Sequence, residues 1–145
     1  REYKIDSLEK YINLQIKKDE KYYLHLENRF GAMLYENLKD RPQYSLAQLR
    51  KSYVREIPFG FCPTLTANMG TGGHNVPFLI DNFGLRKLTE EECFKLQGFS
   101  NSFKLPKSVS SSKIYEMIGN SVSPKISDII ARKVYSLLLQ ECSIK

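Results

Sequence analysis

The chain has 145 residues, 41% apolar and 26% charged, with a net charge of +6 and a pI near 9.2. That is the size of one domain and the composition of a globular protein, and no apolar run approaches the ~20 residues needed to span a bilayer. Three widely spaced cysteines (Cys62, Cys93, Cys142) and two histidines (His25, His74) argue against a disulfide framework and a metal site.

The opening REYKIDSLEK has no continuous apolar segment of the secretory kind, which makes a reducing cytoplasm the expected location. The basic excess suits a polyanionic partner, but it is spread evenly: residues 1–60 and 61–145 each carry +3. Any binding face therefore has to be assembled by folding.

In chain order, Asp6 with Glu9 has the spacing of a capping box ahead of Tyr11 and Ile12, and Ser45 with Gln48 repeats it ahead of Leu49. Both predict short helices. Between them, Tyr22 to Leu38 is rich in aromatics and leucine but interrupted by Gly31, which leaves helix and strand both open. No charged residue occurs from Ile57 to Ile80, where glycine, proline, threonine and aromatics dominate. This chemistry predicts strands near Phe61–Ala67 and Val76–Ile80, joined by a glycine segment, with a turn at Asn82-Phe83-Gly84.

The last third carries the clearest helix signals. Thr89 is the N-cap of a helix over Glu90–Gln97, Glu92 completes the capping box, Leu88 and Cys93 occupy the staple positions, and Gly98 is the stop. A serine-rich loop, Ser108–Lys113, leads into a short turn ended by Gly119. Ser123-Pro124 then starts a helix over Pro124–Gln140, with an apolar stripe at Ile126, Ile129, Ile130, Val134, Leu137 and Leu138.

The segment PTLTANMGTGGHN (Pro63–Asn75) places Gly70, Gly72 and Gly73 within four residues. No Lys-Ser/Thr and no helix follow it, so it is neither a P-loop nor a dinucleotide fingerprint. From spacing alone a turn between strands is the plainer reading. A loop that reaches a nucleic-acid backbone stays open beside it, because Thr64, Thr66, Asn68, Thr71, His74 and Asn75 supply groups that contact phosphates and base edges. None of the cysteines has an evident activating base, and Glu90, Glu91 and Glu92 suit a helix first turn better than acid–base catalysis. The residues name no catalytic group and no metal ligand.

RKLTEEECFKLQGF (Arg86–Phe99) followed by YEMIGNSVSPKI (Tyr115–Ile126) resembles the ninth and tenth motifs of DNA cytosine-C5 methyltransferases, and PTLTANMGTGGHNVPFL resembles the target-recognition region that precedes them. The resemblance implies an α+β target-recognition domain over residues 1–112. It further implies that residues 113–145, the tenth-motif turn and last helix, belong with a Rossmann-like catalytic domain. The family's FxGxG-like cofactor loop, Pro-Cys-Gln nucleophile and Glu-Asn-Val motifs do not occur in this sequence, and Cys62-Pro63 is the reverse order in another region. The chain is accordingly expected to be a split subunit or a fragment of a bacterial, cytoplasmic modification enzyme, inactive alone.

On the same resemblance, Asn120 and Ser121 approach S-adenosylmethionine, which the missing catalytic part chiefly binds. Thr64, Thr66, Asn68, Gly70, Thr71, Gly72, Gly73 and His74 face double-stranded DNA. Arg50, Lys51 and Arg55 are further readers, and Arg86 is an organiser of the small domain with a phosphate contact. The implied partners are duplex DNA and a catalytic subunit or N-terminal domain, without which the last helix is exposed or drives self-association. A non-enzymatic DNA-binding module on the same fold is the rival reading, and an RNA-directed relative is a third.

Overall fold

The computed structural model of the protein describes residues 7–71, 75–106 and 108–142. The fold is α+β. Strands β1 (Ala47–Leu49), β2 (Val54–Glu56), β3 (Phe78–Asp81) and β4 (Gly84–Lys87) form an antiparallel sheet in the order β2-β1-β3-β4. Helix α1 (Arg29–Leu38) covers one face, while α2 (Glu90–Gln97) and α3 (Ser111–Asn120) build the layer on the other. Helix α4 (Pro124–Cys142) follows α3, and single 3-10 turns occupy Leu8–Lys10, Glu20–Tyr22 and Ala67–Gly70.

The two-residue period of a strand divides the core between the two faces. Phe78 and Leu85 pack with Ala47, Leu49, Leu34 and Leu38 beneath α1. Leu79 points the other way, into a cluster with Leu88, Cys93, Phe94, Tyr115 and Ile118 that also takes Leu65 and Met69. Each fully buried aliphatic or aromatic side chain contributes about 1.5–3 kcal/mol.

The β3–β4 hairpin turns at Asn82-Phe83 as expected. Asp81 Oδ1 accepts the N–H groups of Phe83 and Gly84 at 2.8 and 3.0 Å, an aspartate turn that fixes the register Leu79↔Arg86 and Ile80↔Leu85. Helix α2 forms as its sequence signals require. Thr89 Oγ1 accepts from Glu92 N at 3.2 Å, Glu92 Oε2 accepts from Thr89 N at 2.8 Å, and Gly98 ends the helix at φ +104°, a left-handed position. Leu88 and Cys93, the staple pair, are fully buried.

Other expectations are corrected. Ser45 caps no helix: Ala47–Leu49 is a strand, because both its neighbours in the sheet and the burial of Leu46 through Leu49 outweigh a spacing match. Phe61–Thr66 belongs to no strand, so the glycine segment does not join two strands; Ala67–Gly70 is a 3-10 turn and the second strand begins at Phe78. The open stretch from Tyr22 resolves into the end of a 3-10 turn, a lone bridge from Tyr23 to Arg86, and helix α1 capped by Asn28. The first expected helix is a single turn whose cap is Ser7, and Asp6 lies outside the described residues.

Gly119 is not a stop but an interior residue of α3. A Cβ there would strike the Thr66–Ala67 peptide, and one on Gly70 would lie 2.5 Å from Ser112 O. Two glycines thus let the 67–70 turn dock backbone to backbone on α3. Tyr115 and Ile118 of α3 are core residues, so residue 112 falls within the first turn of a helix that packs with the sheet. Helix α4 begins at proline as expected, and its six stripe residues are all at least 45% exposed.

Gly119→Ala should lower unfolding free energy by about 1–3 kcal/mol or more through overpacking, measured by urea denaturation. Gly60→Ala meets no atom within 4 Å, yet at φ +82° it should cost about 1–2 kcal/mol. A neutral Gly119→Ala would show that the turn does not dock as described.

Candidate nucleic-acid interface

The chemistry-bearing residues sit on a frame organised by Arg86, on β4. Its guanidinium is fully buried: Nε donates to Asp81 Oδ2 at 2.6 Å, Nη1 to Glu92 Oε2 at 2.8 Å and Nη2 to Glu92 Oε1 at 2.9 Å. Nη1 also reaches the Lys87 carbonyl at 3.2 Å. Burial opposes the charge, but Glu92 first and Asp81 second outweigh it and raise the arginine pKa above its ordinary value. Tyr23 Oη donates to Asp81 Oδ2 at 3.0 Å and Tyr22 Oη to Glu90 Oε2 at 2.5 Å, which ties the 20–23 segment to the same frame. Burial, then the Glu90 bond, raises the Tyr22 pKa. Tyr115 Oη donates to Leu88 O at 2.6 Å and ties α3 in.

Arg86 therefore organises the domain, but it faces inward and is spoken for by carboxylates, so the expected phosphate contact is corrected. Thr64, Thr66, Asn68 and Thr71 are exposed while Leu65 and Met69 between them are buried, so hydroxyls and amides project from an anchored backbone. Asn68 O accepts from Thr71 N, Thr71 Oγ1 and Asn75 Nδ2 at 3.1, 3.0 and 3.3 Å. Gly70 serves packing on α3. Gly72, Gly73 and His74 lie outside the described residues.

Two sequence-predicted residues meet across a shallow cavity of about 270 Å³: Arg55, exposed on β2, and Thr64, with Phe61 between them. The intervening turn, closed by Phe61 N donating to Pro58 O at 3.1 Å, leaves Phe59 and Phe61 59% and 58% exposed. Sequence reasoning missed Gln48. Its side chain is buried in β1, donating to Asn75 O at 3.2 Å and accepting from Arg50 Nη2 at 3.2 Å. A polar chain thus runs from Arg50 through Gln48 and Asn75 to Asn68. The sequence offered no signal for this role, because Gln48 there reads as the partner of Ser45 in a capping box.

Asn120 ends α3 and is exposed, whereas Ser121 is half-buried and commits both its N–H and its hydroxyl to Ile118 O, at 3.2 and 2.6 Å. Gln97 Nε2 donates to Ser121 O at 3.0 Å, so the α3–α4 corner is held against α2. Cys93 is fully buried with its thiol pKa raised by burial, and burial pushes Cys62 up to about 12. Neither is a thiolate near neutral pH. Among the described residues no group of His, Cys, Asp or Glu could hold a metal ion, and no helix is long and apolar enough to cross a membrane.

The model of the C-5 cytosine-specific DNA methylase family matches residues 2–136. The chain belongs to this family. It is 42% identical over 130 residues to the type II methyltransferase M.Bsp6I of Bacillus sp. (strain RFL6), covering 88% of this chain and 40% of that protein. It is 34% identical over 95 residues to M.DsaV of Dactylococcopsis salina, covering 66% of this chain and 24% of that protein. It is 42% identical over 53 residues to the type II methyltransferase M.SsoII of Shigella sonnei, covering 37% of this chain and 14% of that protein. The chain thus spans less than half the length of the curated relatives it matches. No solved structure gives a significant match.

In this methylase chain Arg86→Ala should cost about 3–5 kcal/mol in urea denaturation, because it strands two buried carboxylates. Arg55→Ala, on the surface, should stay within about 0.5 kcal/mol. Equal effects would remove Arg86 from its organising role. Cys62, shifted from 9.0 to about 12, should alkylate at pH 8 roughly a thousand-fold more slowly in the folded than in the urea-unfolded chain, read by peptide mapping. Because the folded pKa lies above the unfolded one, the folded state keeps its full stability below about pH 9 and loses part of it as the pH rises from about 9 to about 12.

Proposed function

We propose that this chain is the DNA-recognition and C-terminal part of an S-adenosylmethionine-dependent cytosine-C5 methyltransferase of a type II restriction–modification system. The match of the family model across residues 2–136 carries the reading. Its similarity to proteins named type II methyltransferases supports the system, and the spans of 40% and 24% of two of them support a role completed by a catalytic part.

In this reading the target cytosine is turned out of the duplex so that its C5 and C6 atoms become accessible, and this chain does the holding. Thr64 and Thr66 present hydroxyls, and Asn68 and Thr71 present polar groups beside them, from a backbone pinned by Leu65 and Met69. The anchoring matters because a contact that specifies sequence must not relax to suit a wrong base. Arg55 sits on the sheet next to Thr64 and reaches either a guanine edge or a phosphate. Arg86 takes no part in contact; it holds β3, β4 and α2 in register beneath these groups.

Asn120 suits a peripheral cofactor contact, since its amide is exposed at the corner between α3 and α4, and Ser121 fixes that corner through Ile118 O. S-adenosylmethionine, when bound, supplies an electrophilic methyl group on a sulfonium. The nucleophile comes from the catalytic part: no Pro-Cys-Gln motif occurs in this sequence, and burial holds the Cys62 and Cys93 thiols protonated. The apolar face of α4 is where that part packs.

Alone, the chain should bind duplex DNA weakly and transfer no methyl group. Mixed with a catalytic part carrying Pro-Cys-Gln, labelled S-adenosylmethionine and duplex DNA, it should yield 5-methylcytosine. Thr64→Ala in that assembly should weaken DNA binding or turnover and leave cofactor affinity intact. Product from the catalytic part without this chain would sink the proposal, as would tighter binding of structured RNA than of duplex DNA.

A further inference from the structure

Between the β1–β2 hairpin, the Lys21–Asn28 segment and β4 lies a groove of about 660 Å³, in which Arg50 and Lys51, expected from the sequence as DNA readers, meet cations from elsewhere in the chain. Lys21, Arg50, Lys51 and Lys87 line it and no carboxylate does. These four come from three separate stretches of a chain whose charge is otherwise dispersed. The N-terminus of α1 opens onto the same groove through Asn28 and Phe30, adding the positive end of a ten-residue helix.

Three of the four cations are held in place. Lys87 Nζ lies over the rings of Tyr22 and Tyr115 at 5.9 and 5.5 Å, and Arg50 is aligned by Gln48. Lys21 Nζ lies over the Tyr22 ring at 4.8 Å and 3.9 Å from Glu90, with its side chain 54% exposed. Three anchored positive groups and the exposed Lys51, with a helix N-terminus and no lining acid, constitute a polyanion site. We infer that this groove grips the phosphate backbone of the duplex beside the recognised bases, independently of sequence. The inference rests on the DNA-recognition reading above and adds to it a second contact surface. The Arg50–Gln48–Asn75–Asn68 chain joins that surface to the polar groups of the 64–71 segment, so that phosphate grip and base contact share one rigid sheet.

The test uses the full chain and fluorescence anisotropy with a labelled duplex across a salt series. The double variant Lys21→Gln/Lys51→Gln removes two exposed charges. It should lower the slope of log affinity against log salt by about 2, and should weaken binding to specific and unrelated duplexes by the same factor. Lys39→Gln, at the far end of α1, should leave the slope unchanged, and thermal melting should be the same for all three. An unchanged slope in the double variant, with wild-type binding intact, overturns the groove and spares the DNA-recognition reading. Absence of duplex binding by the wild-type chain, both alone and with its catalytic part, overturns both. Binding of heparin as tight as that of duplex, lost in the same variant, overturns the assignment to DNA.

Discussion

One buried guanidinium holds this structure together. Arg86 leaves β4, crosses to Asp81 at the hairpin end of β3, and closes a two-pronged contact with Glu92 in the first turn of α2. Glu92 has two tasks, since the oxygen that takes an N–H from Arg86 also takes the Thr89 N–H that starts the helix. Strand pairing, helix initiation and the direction of the chain between them are thereby set by one charge network. Such a network is expensive to desolvate and is worth having only when every lone pair and proton is used, which is nearly achieved here through Tyr23, Lys87 O and the two backbone N–H groups of the turn.

From that frame the polar groups project outward. The alternation of exposed threonines with buried Leu65 and Met69 makes a segment without ladder hydrogen bonds rigid by packing instead. Gly70 and Gly119 make the packing close enough, because any side chain at either would push the 67–70 turn off α3. The glycines nearest the candidate contacts are thus partly about the protein's own interior.

Helix α4 stands apart in character. It starts at Pro124; Asp128 and Arg132 pair along it at 2.8 Å, and its isoleucines and leucines remain open to solvent. Its apolar side chains are exposed among the described residues, and the relatives matched here are more than twice as long as this chain.

Local, short-range chemistry was legible in the sequence: the Thr89–Glu92 capping box, the Gly98 stop, the Asn82-Phe83-Gly84 turn and the proline start of α4 are each decided within about one helical turn or hairpin of chain. What the sequence could not decide were choices settled by distant partners. Ser45 and Gln48 have capping-box spacing, yet they lie in and beside a strand because β2 and β3 flank it. Gly119 looks like a helix stop until the Thr66–Ala67 peptide is laid against it. Arg86 carries the charge of a phosphate ligand, and only the convergence of Asp81 and Glu92 turns it inward. The gathering of Lys21, Arg50, Lys51 and Lys87 around one groove likewise belongs to the tertiary structure, since a charge spread evenly along a chain becomes a field only when folding brings its parts to one face.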